Sequence, residues 1–170
     1  MYYVVDASNR IVDVGDAWDE VAESVSAPGA MRERIVGRLL DDFMTGDATK
    51  MFVRAALDAA RLLSETRVLP YRCDSPAERR RFDMVISLMG QGLVKVDHRL
   101  VSVQPRLPQR QRPAARPWAD SRCSQCFAVR LTGGEWVEVE GHALLPQDVC
   151  PNCVRQLFDV PSSTPEPAHD

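Results

Sequence analysis

The sequence predicts an α+β protein: one antiparallel sheet with helices on one face, followed by a small module built on cysteines. Three observations support this. Five short runs have the pattern of strands, one long stretch has the apolar period of a helix, and two C-x2-C pairs lie near the carboxyl end. With 170 residues, the chain has room for one ordinary domain and a small one.

Two strands and a short helix open the chain. Residues 2–6 and 10–14 are apolar, β-branched runs on either side of a tight turn. Asp16 then begins a short helix with an acid at its cap, and residues 26–29, Ser-Ala-Pro-Gly, end it. Residues 31–37 predict one further helical turn.

The clearest helix covers residues 47–63. Its apolar positions recur at i, i+4, i+7 and i+11, and three more widen the stripe. They are Phe52, Ala56, Ala59 and Leu63, widened by Val53, Leu57 and Ala60. A face of this width requires a broad, flat partner.

That partner is a set of three further strands. Residues 67–73, 82–89 and 93–103 are strand-like, and residues 90–92, Gly-Gln-Gly, turn the second into the third. In the middle strand one alternating set is wholly apolar. It consists of Phe82, Met84, Ile86 and Leu88. Two strands, a helical excursion and three strands make one five-stranded antiparallel sheet.

The chemistry of the chain is concentrated in four cysteines. Cys123 and Cys126 form one C-x2-C pair, and Cys150 and Cys153 form a second after twenty-three intervening residues. This spacing lets the pairs grip one tetrahedral metal ion together, which favours structural Zn²⁺. An iron–sulfur cluster and a redox dithiol are the alternatives. Four sulfur ligands leave no coordination position for an activated water, which disfavours catalytic zinc.

A metal ion is also what a module of this size needs. About forty residues bury too little apolar surface to fold alone, whereas structural zinc contributes on the order of 10 kcal/mol. Residues 129–140 predict a hairpin, and residues 151–158 predict a helix with Pro151 in its first turn. A knuckle, a hairpin and a helix resemble a treble-clef or zinc-ribbon module. His142 is a fifth candidate for four positions and is expected on the surface.

Composition argues against several classes of protein. The apolar fraction is 45%, enough for a core, and no window approaches the length of a membrane span. A net charge of −3 argues against binding nucleic acid by bulk attraction. The first residues, Met-Tyr-Tyr-Val-Val-Asp, contain no leader pattern, so a reducing, cytoplasmic location with free thiols is expected.

The first hundred residues contain a series of short motifs in a definite order. They are Val5-Asp6 before Arg10-Ile-Val, Asp16-Ala-Trp-Asp, Val36-Gly37-Arg38, Gly46-Asp47-Ala48-Thr49, and Leu69-Pro-Tyr-Arg-Cys-Asp-Ser-Pro76 followed by Arg80-Arg81. Together they resemble a PAS sensory domain, and they are most similar to a bacterial subgroup with a Tyr-Arg-Cys-Asp-Ser-Pro hairpin. The cysteine-rich end also resembles one that follows such domains in some bacterial regulators.

The resemblance covers residues 1–104. It implies the strand order 2-1-5-4-3, helices that enclose a ligand cavity, and a role in signalling. Because the chain contains no effector motif of its own, output is expected to pass to a separate protein, and a homodimer is one assembly considered. The expected cavity lining is His98, Tyr71, Met84 and Phe52. The sequence contains no Ser-His-Asp set, paired catalytic carboxylates or phosphate loop, so an enzyme is not expected.

Relatives of this kind often hold haem or flavin, and the sequence lacks both signatures. Photoactive flavin relatives carry a cysteine in a helical Asn-Cys-Arg-Phe-like segment, and haem-binding relatives carry a histidine on the long helix; neither residue occurs here. His98 is the single histidine of this domain, on one strand face with Val94, Val96 and Leu100. It is expected as a hydrogen-bonded packing residue, with a pocket or haem contact as the alternative.

Two features of the last hairpin have competing interpretations. Cys73 shares a strand face with Leu69 and Tyr71 and is expected as a small buried thiol, with redox sensing as the alternative. Residues 79–81 are three arginines, expected as a solvated hairpin edge that discourages pairing with another sheet, with an anion patch as the alternative.

A basic, proline-rich linker at residues 105–119 separates the two parts. Four prolines and four arginines without an acid favour an extended segment. Residues 120–160 carry six acidic residues against three arginines, so this module is expected to dock on the linker or on residues 79–81. Residues 161–170 form a polar tail that is expected to be disordered.

Three functions remain for such a chain. The favoured one is a cytoplasmic sensory or regulatory protein that binds a small ligand or a protein partner. The second is a nucleic-acid-binding or transcription-linked factor that uses the zinc module with Arg106, Arg110, Arg112 and Arg116. The third is a redox- or metal-responsive switch built on the four cysteines.

Overall fold

The computed structural model describes residues 1–106, 119–139 and 145–159. Within these ranges the chain forms one sheet of five strands and one of four. Helices lie between the second and third strands of the first sheet, and a short helix follows the last strand of the second. This confirms the predicted α+β class with a five-stranded antiparallel sheet.

The five-stranded sheet has the order β2-β1-β5-β4-β3, and all neighbours are antiparallel. Its strands are β1 (Tyr2–Val5), β2 (Ile11–Val14), β3 (Arg67–Arg72), β4 (Glu78–Gly90) and β5 (Leu93–Pro105). The observed order equals the one that the family resemblance implies. Tyr3 lies opposite Val96, so the first and last strands of this region are neighbours in the middle of the sheet.

Three helices connect β2 to β3. They are α1 (Trp18–Ser24), α2 (Arg32–Ile35) and α3 (Asp47–Leu63), with 3-10 turns at Pro28–Ala30 and Leu40–Phe43. The long helix has the predicted bounds, and its apolar stripe is buried against β4 and β5. The buried stripe is shorter than predicted, since Leu63, in the last turn of the helix, is 56% exposed.

The β4–β5 hairpin is longer than predicted. β4 begins at Glu78 because the arginines at 79–81 continue the ladder, with Arg79 opposite Gln104 and Arg81 opposite Ser102. The predicted turn is present, and Gly90 and Gly92 both adopt positive φ, which glycine accepts without steric cost. Leu100 does not share the buried face expected for it: it is 55% exposed, beside a register shift in the ladder.

The second part of the chain is the cysteine module, residues 119–159 as far as they are described. Its elements are β6 (Ala119–Cys123), β7 (Val129–Leu131), β8 (Trp136–Val137), β9 (Gln147–Asp148) and α4 (Pro151–Gln156), with strand order β8-β7-β6-β9. The predicted hairpin is β7–β8. β6 and β9 were not expected, since they are short and polar.

Several predictions fall on other residues. Residues 107–118 of the linker, residues 140–144 with His142, and residues 160–170 of the tail lie outside the described ranges. Predictions about their structure stay predictions, as do the domain bounds at 104, 120 and 160. In the part of the chain that the structure describes, no helix combines the length and the apolarity that a membrane crossing requires.

Candidate metal centre and adjoining pocket

The sulfur atoms of the four predicted cysteines converge. Cys123 ends β6, Cys126 closes the turn after it, Cys150 precedes α4 and Cys153 lies in its first turn. All four Sγ atoms lie within 4.8 Å of one another. Cys126 is half-buried and the other three cysteines are buried. This group of soft ligands could hold a metal ion.

The distances between the sulfur atoms suit a tetrahedral thiolate site. Cys123 Sγ lies 3.8 Å from Cys153 Sγ, and Cys126 Sγ lies 3.6 Å from Cys150 Sγ. Metal–sulfur bonds of about 2.3 Å, as in zinc sites, give tetrahedral edges of about 3.8 Å, whereas a disulfide bond is about 2.05 Å long. Each close pair joins one C-x2-C motif to the other, so an ion at the centre would tie both motifs together.

Backbone pairing brings the two motifs side by side. β6 and β9 are parallel, with Cys123 opposite Asp148, which places Cys150 two residues beyond the pair. The N–H of Cys150 points at Cys123 Sγ, at 3.3 Å. Phe127 adopts φ +66°, uncommon for a residue with a side chain, and its N–H donates to the Cys123 carbonyl. These contacts orient Cys123 towards the other three sulfurs.

Without a cation, a thiolate at Cys123 is favoured over thiolates at Cys126 and Cys153. Hydrogen bonds from the thiols of Cys126 and Cys153 lower the pKa of Cys123 strongly. The same shared hydrogen bonding raises the pKa of Cys126 to about 12 and raises that of Cys153 as well. Four thiolates at one point therefore require the charge of a metal ion, and binding would release protons.

The cysteine module docks on the open edge of β3. The backbone N–H of Arg72 donates to the carbonyl of Gln125 at 2.7 Å, and Arg72 Nη1 lies 3.4 Å from the Cys126 carbonyl. The Arg72 guanidinium also lies over the ring of Phe127, 5.1 Å from its centroid. One arginine at the end of β3 thus contacts three consecutive residues of the first knuckle, the turn formed by residues 123–127.

A buried ion-pair cluster holds that arginine in place. Asp74 lies 2.5 Å from Arg72 Nη2 and 3.6 Å from Arg106 Nη1, and the three side chains are at most 7% exposed. Burial alone would raise the pKa of Asp74, but the hydrogen bond and charge of Arg72 hold it below its ordinary value. Arg72 and Asp74 of the Tyr-Arg-Cys-Asp motif at residues 71–74 therefore form the surface that the knuckle contacts.

Opposite charges join the module to the basic hairpin edge. Glu138 Oε1 lies 2.9 Å from Arg79 Nη1 and 4.0 Å from Arg81 Nη2. This confirms the predicted docking of the acidic module on residues 79–81. The expectation of a solvated edge is wrong for Arg79, whose side chain is 14% exposed, because the ion pair with the module covers it.

A pocket of about 320 Å³ lies between the sheet and the connecting helices. Most of its wall is apolar, and three of the four predicted lining residues contribute to it: His98, Tyr71 and Met84. The fourth, Phe52, is buried in the core instead, and its neighbour Val53 faces the pocket. The apolar period of the helix places both residues on the inner side of α3. It does not distinguish the residue that packs in the core from the one that lines the pocket.

The polar end of the pocket is an aromatic cluster. Tyr71 Oη lies 2.8 Å from His98 Nδ1, and the ring of Tyr3 lies 5.5 Å from the imidazole. Burial, helped by the N-terminal ammonium, lowers the pKa of His98 to about 4, so the ring is neutral near pH 7. Burial also raises the pKa of both tyrosines. His98 is therefore the hydrogen-bonded packing residue predicted, and it also lines the pocket.

Two glutamines were missed by the sequence analysis. Gln125, between Cys123 and Cys126, is 5% exposed and lines the pocket. Gln147 accepts a hydrogen bond from Thr49 at the start of α3, at 2.9 Å. No local pattern distinguishes these residues from surface glutamines, since their positions follow from the docking of the module.

Cys73 contradicts its prediction. It was expected as a small buried thiol, but it lies just beyond the end of β3 and is exposed and free. The strand alternation that suggested burial stops at Arg72, where the chain turns towards the Asp74 cluster.

The fold and the site define a class: a five-stranded antiparallel domain carrying a docked four-cysteine module that could bind metal. Comparison of the chain with protein-family models, curated proteins and solved structures finds no match.

Proposed function

We propose that this protein is a cytoplasmic, PAS-type sensory or regulatory protein with a structural zinc ion at the four cysteines. It binds a small molecule or a partner and passes the signal to another protein without catalysing a reaction. The observation that carries the proposal is the mostly apolar pocket that lies between the connecting helices and a sheet of order β2-β1-β5-β4-β3. Free thiols suit a reducing compartment.

Zinc is the metal proposed for the cluster. The cross-motif sulfur distances of 3.6 and 3.8 Å match the edges of a tetrahedral thiolate site. In that role Cys123, Cys126, Cys150 and Cys153 would hold the ion, which would supply folding energy and fix the module on β3. Elemental analysis with native mass spectrometry should find one zinc per chain; iron, or no metal at all, would contradict this assignment.

The sensory role is tested by ligand capture. We expect the purified, zinc-loaded protein to retain a compound from a metabolite extract, or to change its subunit number when the compound binds, as read by native mass spectrometry. Absence of binding together with an unchanged subunit number under all conditions would contradict a sensory role.

A redox- or metal-responsive switch is the second candidate, and one observation favours it. A groove of about 460 Å³ between the hairpin and the module borders Cys126, Cys150 and Cys153, and the half-buried Cys126 offers small oxidants a route to the cluster. This role predicts that mild peroxide releases the metal and that a thiol reductant restores binding. Metal retention after peroxide treatment would exclude it.

The nucleic-acid alternative has less support. Arg106, one of its four arginines, is 4% exposed and pairs with Asp74, so it does not face a phosphate backbone. Arg110, Arg112 and Arg116 lie outside the described residues. Binding to nucleic acid that falls steeply with salt would revive this alternative.

A further inference from the structure

The pocket has walls from both parts of the protein. The sheet and helices provide most of its surface, and Ser124 and Gln125 complete it. These two residues are the whole span between Cys123 and Cys126. Their backbone is therefore fixed on both sides by cysteines of the cluster.

The contacts of the first knuckle hold this piece of wall in place. The backbone carbonyl of Gln125 accepts a hydrogen bond from the Arg72 N–H at 2.7 Å. The side-chain amide nitrogen of Gln125 donates to Ser124 Oγ at 3.1 Å. A second contact joins the module to the pocket wall: Gln147 of β9 accepts a hydrogen bond from the hydroxyl of Thr49, a residue that also lines the pocket. A displacement of Ser124 and Gln125 would therefore alter the pocket wall directly.

The lining defines the chemistry of a ligand. Among the described residues that form the wall, none is an aspartate, glutamate, lysine or arginine, and His98 is neutral near pH 7. Burying an unpaired charge there would be costly. Trp18, Met44 and Met84 offer apolar surface, while Tyr71 and Thr49 offer hydrogen bonds. The volume lies at the small end of ordinary ligand pockets.

We propose that the pocket takes a neutral, mostly apolar small molecule, and that metal occupancy of the cysteine cluster sets its affinity through the wall formed by Ser124 and Gln125. The inference rests on the proposed function, since it regulates the same ligand site. Coupling of two binding equilibria is reciprocal, so the ligand also tightens metal binding by the same factor.

The test uses the full chain and the neutral fluorescent probe N-phenyl-1-naphthylamine. We expect the zinc-loaded protein to bind the probe about tenfold more tightly than protein stripped by a chelator, within the usual range of coupling between sites. In competition with a chromophoric chelator, saturating probe should raise the zinc affinity by the same factor. Equal probe affinity with and without zinc would overturn the coupling and leave the proposed ligand site intact.

Two substitutions locate the probe. Ala30 is half-buried in the pocket wall, so Ala30→Phe fills the space without removing a core side chain and should abolish binding. Ala55→Phe, on the exposed side of α3, is the matched control and should bind normally. Absence of binding to the zinc-loaded protein, or binding that Ala30→Phe leaves intact, would overturn the ligand site itself and with it the proposed function.

A third substitution separates the wall from the stability of the module. Gln125→Ala keeps all four cysteines, so zinc stoichiometry should be unchanged while probe affinity falls several-fold. Gln104→Ala, on an exposed position of β5, is its control and should change neither. An unchanged probe affinity in Gln125→Ala would overturn the role of the knuckle.

The stripped protein must also keep its sheet for the comparison to hold. The indole N–H of Trp18 donates to the Ala30 carbonyl at 2.7 Å beside the pocket, so its NMR signal reports on the sheet domain. We expect the chemical shift of this signal to stay at its folded value after zinc removal. A shift to the value of an unfolded chain would mean general unfolding and would overturn a specific coupling.

Discussion

The two parts of this protein solve the problem of stability differently. The sheet domain buries large apolar side chains on a broad surface, with Leu57, Ile86, Val94 and Val96 fully inaccessible. In the described part of the cysteine module, three of the buried side chains at the centre are cysteines, joined by Val129 and Leu157. Apolar burial can therefore sustain the first part, whereas the second would depend on the metal proposed for its sulfurs.

The largest effect is expected from the cluster. Cys123→Ser removes one of the four proposed metal ligands, and loss of the proposed zinc would take away on the order of 10 kcal/mol of folding free energy. We expect the module to unfold and the sheet domain to stay folded, as read by NMR dispersion and metal content. Cys73→Ser is the matched control, because Cys73 is free, exposed and outside the cluster. A folded, zinc-loaded Cys123→Ser protein would refute the assignment.

The second prediction concerns the packing of the sheet domain. Leu57 is fully buried on the inner face of α3, so Leu57→Ala should lower the free energy of unfolding of the sheet domain by about 2–5 kcal/mol. Leu62→Ala, at a position 82% exposed in the same helix, should change it by less than about 0.5 kcal/mol. Chemical denaturation measures both. Similar values for the two variants would mean that the packing described for α3 is wrong.

The third prediction concerns acid sensitivity within the sheet domain. The folded pKa of His98, about 4, lies below its ordinary value of about 6.5, so the unfolded chain takes up the proton first. The stability from neutral His98 is complete above pH 6.5 and is lost as pH falls towards 4, by up to about 1.4 kcal/mol per pH unit.

The measurement is denaturation of the wild-type chain and His98→Gln at pH 7 and 5.5. Subtracting the two cancels any contribution of the cysteine module to the pH dependence. The wild-type chain should lose about 1 kcal/mol more than the variant. Parallel pH profiles would show that His98 is protonated without cost and therefore not buried as described.

The smallest effect is expected from the exposed carboxylate that pairs the module with the basic hairpin edge. Glu138 is 55% exposed, so Glu138→Gln should weaken docking by less than about 1 kcal/mol, an effect that disappears in high salt. Glu135→Gln, which changes an exposed acid of the β7–β8 turn, is the control. The difference in thermal midpoint at low and high salt checks this. A large, salt-independent loss would mean that Glu138 carries more of the interface than its exposure suggests.

The regular elements of the fold and the cysteine cluster could be predicted from the sequence. The bounds of α3 follow from its apolar period, and the C-x2-C spacing singled out four sulfurs that the chain brings together. Prediction fell short where structure depends on the docking of the two parts. β4 extends to Glu78 because arginines expected at a solvated hairpin edge continue the ladder, and Gln125 is placed by its contacts with Arg72 and the pocket of the sheet domain.

Cys73 illustrates the same limit from the opposite direction. Alternation along β3 predicts its burial, but the strand ends at Arg72, whose side chain turns to the Asp74 cluster. A two-residue period holds only while the strand continues, and the end of this strand is set by an ion pair that no local pattern encodes.

Hydrogen exchange of the full chain, with zinc and after chelation, tests the central claim most directly. We predict that the amides of 119–139 and 145–159 lose their protection when the metal is removed, while those of β1, β4, β5 and α3 keep theirs. If the cysteine module stays equally protected without metal, or if both parts lose protection together, the account of two differently stabilised parts is contradicted.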